Sequence, residues 1–68
     1  MTNTELLEAK IKASGLKKNY IAEQLGITYQ GLYLKLIGKN EFISSEIKKL
    51  TNLLNIPDDE IKPIFFTD

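Results

Sequence analysis

Apolar residues recur every three or four positions along most of the chain, and polar residues or glycines interrupt them at short intervals. A repeat of this period is typical of amphipathic helices that bury one face. The pattern therefore predicts an all-α fold, a compact domain of four to five helices that occupies residues 1–68. The predicted helices cover about residues 4–13, 18–25, 28–37, 45–55 and 58–64.

Glycines and capping residues mark the ends of these helices. Gly15 and Gly26 are expected to end the first two, since glycine readily adopts the left-handed conformation of a helix C-terminus. The expected N-caps have side chains that accept from a first-turn amide: Thr2, Asn3 or Thr4, then Thr28, then Ser44 or Ser45. Pro57 suits the first turn of the last helix, and Pro63 is expected to limit that helix.

The expected core consists of the apolar stripes of these helices. It comprises Leu6, Leu7, Ile11, Ile21, Ala22, Leu25, Leu32, Leu36, Phe42, Ile47, Leu50, Leu53 and Leu54. Ile64, Phe65 and Phe66 are expected to cover this core, and a binding motif is the alternative for these three residues. A chain of 68 residues buries about 60% of its unfolded surface, so the core is expected to be thin.

Residues 18–38, KNYIAEQLGITYQGLYLKLIG, carry the most specific pattern in the chain. Ala22 is small where two helices come close, and Gly26 allows the positive φ angle that a tight turn needs. Apolar side chains on both sides of this turn would hold the two helices at a fixed angle. The combination predicts a helix-turn-helix, and an ordinary helical hairpin in a small bundle is the alternative.

Composition narrows the classes of function. The chain contains no cysteine and no histidine, so thiolate metal sites, the commonest zinc ligand and the commonest general base are all missing. It also lacks a P-loop and a GxGxxG motif, and the acidic residues 58–60 diverge around a helix. We therefore expect neither an enzyme nor a cofactor. The absence of a secretory leader and of a long apolar run favours a cytoplasmic protein.

The net charge is zero, but the charges are unevenly distributed. Residues 17–49 hold six lysines and three glutamates, which gives +3, whereas residues 50–68 hold one lysine and four acids, which gives −3. A mildly basic middle is compatible with a surface that faces phosphates. A solvated surface of mixed charge is the simpler interpretation, because a dedicated DNA binder is usually more basic.

Two segments resemble the Cro and cI family of phage-type repressors, also called the xenobiotic-response-element family. IAEQLGIT at residues 21–28 is similar to that family's second helix and turn, and GLYLKLIGK at residues 31–39 to its third helix and exit loop. The resemblance covers roughly residues 4–56, and the IFF ending is similar to small Cro-like and modulator-of-repression proteins. It implies a five-helix fold, transcriptional control and frequent dimerisation, so a homodimer is a further expectation.

The third helix would be the recognition helix of such a protein. With Leu32 and Leu36 inward, a turn of 100° per residue places the remaining side chains. It directs Gln30, Tyr33, Leu34 and Ile37 outward and leaves Tyr29 flanking the core side. Within the family, outward positions commonly carry Gln, Arg, Lys, Ser or Asn, which read base edges. Here only Thr28 and Gln30 suit that work.

Three interpretations compete for the apolar stripe of Tyr33, Leu34 and Ile37. The stripe could pack within the domain, under the C-terminal tail. It could contact DNA, with Gln30 on a base and Tyr33 or Leu34 against thymine methyl groups. The favoured interpretation is a protein interface, since an exposed apolar patch with a polar rim is typical of a partner surface. Tyrosine is also enriched among the residues that dominate binding energy.

The sequence therefore predicts a small transcriptional regulator of a phage or prophage genetic switch. We expect an antirepressor or modulator of repression, which binds a partner repressor through the third helix. Direct binding to operator DNA as a Cro-like repressor is the alternative, and an antitoxin-type module is a third class. Candidate contacts to the partner or to DNA are Thr28, Tyr29, Gln30, Tyr33, Leu34 and Ile37. Candidate phosphate contacts are Asn19, Lys39 and Asn40.

Overall fold

The computed structural model describes residues 1–67, and over this range it is all-helical with five α-helices. The helices are α1 (Thr4–Ser14), α2 (Lys18–Leu25), α3 (Tyr29–Leu36), α4 (Ser44–Leu53) and α5 (Asp58–Phe65). Helix α2 packs against α3 and α4, and α1 packs against α3 and α5. The predicted all-α fold is confirmed. Asp68, which the sequence counts with the acidic C-terminal stretch, lies outside the described residues.

The predicted turn between the second and third helices is present. Gly26 ends α2 with a φ of 73°, in the left-handed region that favours glycine. The amide of Ile27 donates to the carbonyl of Ala22 at 3.0 Å, which closes the end of α2. Thr28 then begins α3 as its N-cap, with its Oγ1 accepting from the amide of Gly31 at 3.0 Å. Two short helices are thereby joined by a turn of three residues.

The start of α4 differs from the prediction. Helix α4 begins at Ser44, and its N-cap is Ile43 rather than Ser44 or Ser45. The side chain of Glu46 reaches back to accept from the amide of Ile43 at 3.0 Å, as the acidic residue of a capping box does. The carboxylate of Glu46 therefore satisfies an amide at the beginning of the helix, although Ile43 has no polar side chain to offer.

Helix ends elsewhere shift by one or two residues. Helix α4 ends at Leu53 rather than 55, and α3 covers 29–36 rather than 28–37 because Thr28 is its cap. Helix α5 contains Pro63 and ends at Phe65, one residue beyond the predicted end at about residue 64. A proline inside a helix loses one backbone hydrogen bond. Here the two residues that follow it, Ile64 and Phe65, are buried, and that burial offsets the loss.

The core follows the predicted stripes with two exceptions. Every helix contributes, and the centre is formed by Leu7, Ile21, Leu32, Leu50 and Ile64. Ile64 and Phe65 cover the core as predicted, and Phe65 meets Phe42 edge-on with 6.0 Å between ring centroids. Leu6, which the periodicity placed in the core, is exposed, and so is Phe66, which was expected to cover the core. The amide of Asn3 donates to the carbonyl of Ile64 at 2.6 Å and so fastens α1 to α5.

A largely buried ion pair joins α3 to α4. The Nζ of Lys35 lies 2.8 Å from Oε1 of Glu46, and the exposed fractions of the two side chains are 14% and 7%. The same ammonium donates to the carbonyl of Glu41 at 3.0 Å and lies 5.7 Å from the centre of the Phe42 ring. Lys35 thereby fixes the loop between the two helices as well as α4 itself.

None of the helices in residues 1–67 is long and apolar enough to cross a membrane.

Candidate interaction surface on the third helix

Helix α3 presents one face to the core and leaves the opposite face uncovered. Leu32 and Leu36 are buried, as the sequence predicts. Tyr29, Tyr33 and Ile37 are exposed by 52%, 53% and 53% of their surface, and Gln30 is exposed beside them. Because these three residues are four positions apart, they form one continuous stripe along the helix. We call Tyr29, Gln30, Tyr33 and Ile37 the α3 face.

Two predicted positions on this helix need correction. Tyr29, the first residue of α3, was expected to flank the core side but is as exposed as Tyr33. Leu34 is half-buried rather than fully outward. Its carbonyl accepts from the amides of Lys39 and Asn40 at 2.9 and 3.2 Å, so the exit loop returns to the end of α3. Leu34 is therefore not part of the α3 face.

A small recess deepens the α3 face where it meets α1. Its volume is about 60 Å³, and the ion pair of Glu8 and Lys18 stands on its rim, with 3.1 Å between Nζ and Oε1. The remaining lining residues are Tyr29, Leu32, Tyr33, Leu36 and Ile37. A shallower hollow of about 340 Å³ lies against Tyr29, Gln30 and Tyr33. The face thus combines protruding aromatic rings with an apolar recess.

Thr28 is partly committed to the fold. It is exposed at the beginning of α3, but its Oγ1 already accepts from the amide of Gly31. The hydroxyl keeps its own hydrogen to donate to a base, a phosphate or a protein carbonyl. The side-chain amide of Gln30, also exposed near the start of α3, makes no hydrogen bond to another residue within residues 1–67.

Ion pairs reduce the positive charge near α3. Among the six lysines of residues 17–49, Lys18 pairs with Glu8 and Lys35 with Glu46. The other four are Lys17, Lys39, Lys48 and Lys49, all exposed. The predicted phosphate contacts Asn19, Lys39 and Asn40 are also exposed: Asn19 lies in the first turn of α2, and Lys39 and Asn40 follow α3. We call α2 and α3, with the turn between them, the two-helix unit. Exposed lysines thus lie just before α2 and just after α3, but few lie along the α3 face.

Acidic side chains do not gather into a metal-binding cluster beside this surface within residues 1–67. The described residues contain no group of three or more acidic, histidine or cysteine side chains that could hold a metal ion. The ion pair of Lys35 and Glu46, which sequence reasoning missed, is structural, since both side chains are occupied by hydrogen bonds within the fold. No spacing in the sequence marks two residues eleven positions apart as partners.

We compared the chain with protein-family models and with curated proteins, and neither comparison suggests a function. No protein-family model matches the chain, and no curated protein has a significantly similar sequence.

Proposed function

We propose that this chain is a small helix-turn-helix regulator of a phage- or prophage-type genetic switch that binds a partner repressor through the α3 face. Binding would alter how that repressor occupies its DNA. The observation that carries the proposal is the exposure of Tyr29, Tyr33 and Ile37 as one stripe on the second helix of the two-helix unit. Large apolar residues grouped on one exposed face are typical of protein interfaces.

The chemistry of the α3 face favours a protein partner over DNA. Tyrosine buries a large area at low entropic cost, and its hydroxyl supplies a polar contact. The recess beside Tyr33 could accept an apolar side chain of the partner, as well-packed pockets at interface centres do. Packing of the stripe beneath the C-terminal tail is not favoured, because α5 lies against α1 and the stripe remains exposed.

Direct binding to operator DNA is the second candidate function. The observation that favours it is the position of Gln30, exposed in the first turn of α3, where its amide could make paired hydrogen bonds to adenine. The four exposed lysines could neutralise a few phosphates. Against this candidate, the rest of the α3 face is aromatic and aliphatic, and two of the six lysines are already paired with carboxylates.

A tyrosine comparison tests the proposed interface. Tyr33→Ala should weaken the complex with the partner repressor by at least about tenfold, since truncation of a central interface tyrosine typically costs 2 kcal/mol or more. Isothermal titration calorimetry measures the change. Tyr20→Ala is the matched control, because Tyr20 is similarly exposed but lies on α2.

The control should bind as the unmodified chain does, and both variants should keep their thermal melting curves. Equal affinities for the two variants, whether both are weakened or both unchanged, would contradict the assignment of the α3 face.

A further inference from the structure

Tyr29, Tyr33 and Ile37 form a ridge along α3 that has a depression on each side. The recess of about 60 Å³ is lined by Leu36, and the shallow hollow of about 340 Å³ is lined by Gln30. At 100° per residue, Leu36 and Gln30 lie on opposite sides of Tyr33 around the helix, each roughly 60° away. The α3 face is therefore a ridge between two grooves.

We propose that the partner covers the α3 face with a single amphipathic helix, which places a branched aliphatic side chain of valine to leucine size in the recess. This inference rests on the proposed function and names the chemistry of the segment that the α3 face binds. Helices pack by laying ridges of one into grooves of the other, and rows of residues four apart form the ridges in the commonest class of packing. Tyr29, Tyr33 and Ile37 form such a row, so the partner helix would cross α3 at roughly 50°.

The size of the recess restricts the side chain that it can hold. An apolar protein cavity of about 150 Å³ holds one benzene molecule, whereas one water occupies about 30 Å³ of the liquid. At about 60 Å³, the recess is too small for an aromatic ring but can hold the methyl groups of a branched aliphatic side chain. Its lining includes the buried side chains of Leu32 and Leu36, so an aliphatic group gains from burial there and a polar group loses.

The exposed area of the ridge suits one helix better than the surface of a whole domain. Its three large side chains are each about half exposed, and together they can bury on the order of 300 Å². A standard interface buries about 800 Å² on each partner. A ridge of less than half that area can hold one helix through a few side chains. An extended strand is not favoured, because residues 1–67 are all-helical and offer it no sheet edge.

The polar groups beside the ridge define the flanks of the partner helix. On the recess side, Glu8 and Lys18 neutralise each other, with 3.1 Å between Nζ and Oε1. A charged side chain of the partner would lose hydration there without gaining an unpaired opposite charge. On the side of the hollow, the amide of Gln30 is exposed and can both donate and accept. We therefore expect the partner helix to carry an uncharged polar side chain beside Gln30 and no charge beside the recess.

Nuclear magnetic resonance with two small probes tests the recess on the chain alone. Isobutanol, which has the branched end of a leucine side chain, and benzyl alcohol, which carries an aromatic ring, are titrated separately into the isotope-labelled chain. We expect isobutanol to shift the amide signals of Leu36 and Ile37, and benzyl alcohol to leave them unchanged. Equal shifts from the two probes, or no shift from isobutanol, would overturn the assignment of an aliphatic occupant.

Two matched substitutions locate the isobutanol site. Ile37→Phe fills the recess with a ring and should remove the isobutanol shift at Leu36. Ile43→Phe makes the same change at an exposed isoleucine before α4, outside the recess, and should retain that shift. Both isoleucines are more than half exposed, so the melting curves should be retained. Loss of the shift in both variants, or in neither, would overturn the placement of the probe in the recess.

Hydrogen exchange of the repressor, free and in the complex, tests the helical occupant. We expect protection of one amphipathic helix, in which an aliphatic residue replaced by alanine weakens the complex by at least about tenfold. Phenylalanine at the same position should weaken it as well, because the ring does not fit the recess.

The outcomes separate this inference from the proposed function. Normal binding with protection confined to a loop, or with an aromatic residue in the recess, would overturn the inference and leave the proposed function intact. A repressor that does not bind the chain would contradict the proposed function and the inference with it. Amide shifts along the α3 face that grow with the concentration of the chain alone would assign the face to a second copy, which also overturns the inference.

Discussion

Deletion of residues 63–68 is expected to unfold the domain. Ile64 and Phe65 are 1% and 2% exposed, and burial of a large apolar side chain contributes about 1.5–3 kcal/mol. Deletion also removes the carbonyl that accepts from the amide of Asn3 and the ring that packs on Phe42. At about 0.05–0.15 kcal/mol per residue, a domain of this size has a free energy of unfolding of roughly 3–10 kcal/mol. The stabilisation lost by the deletion is therefore comparable to the entire free energy of unfolding.

Circular dichroism at 222 nm, followed through a thermal or urea transition, measures this effect. Phe66→Ser is the control, because it changes the same segment at an exposed position and should leave the monomer's free energy of unfolding nearly unchanged. A truncated chain that melts like the full chain would show that α5 does not belong to the core.

Glu46→Ala is expected to destabilise the fold by about 3–5 kcal/mol, the usual cost of removing one partner from a buried ion pair. The substitution strands the ammonium of Lys35 among largely buried groups and leaves the amide of Ile43 without its acceptor. The loop between α3 and α4 should loosen as well, since Lys35 also holds the carbonyl of Glu41.

The ion pair of Glu8 and Lys18 provides a matched control within the same chain. Its side chains are 43% and 38% exposed, so Glu8→Ala should cost no more than about 1 kcal/mol. Urea denaturation of both variants gives the two free energies. Equal losses for Glu46→Ala and Glu8→Ala would mean that the pair of Lys35 and Glu46 does not hold α3 against α4.

The helices and most of the core could be predicted because helical periodicity and helix-end residues are features of short segments of sequence. Periodicity placed the buried faces of α1 to α4, and Gly26 and Thr28 marked the turn before α3. The errors arose where contacts between distant segments determine how a helix begins or ends. At the start of α4 the N-cap is Ile43 rather than a serine, and Glu46 both accepts from the amide of Ile43 and binds Lys35 of another helix. Burial of Ile64 and Phe65 likewise stabilises the last turn of α5, which ends one residue later than predicted, and no local rule expresses that gain.

The α3 face was predicted in part. Helical geometry gave the outward direction of Gln30, Tyr33 and Ile37, but it could not show that the exit loop returns to the end of α3 beside Leu34. The exposure of Phe66 was not anticipated at all. Phe66 was grouped with its buried neighbours, and only the packing of α5 shows that its ring borders a hollow beside Ile47.

A salt titration of binding tests the central claim most directly. Fluorescence anisotropy would follow labelled DNA from the chain's own promoter region, and separately the labelled repressor, between about 50 and 200 mM salt, a range over which DNA binding falls steeply. We expect the chain to bind this DNA weakly, with a steep loss as salt rises. It should bind the repressor with an affinity that changes little, because an apolar interface is only weakly screened. Tight, sequence-specific binding of the isolated chain to the promoter at 150 mM salt, lost in Gln30→Ala, would contradict the account and establish direct operator binding.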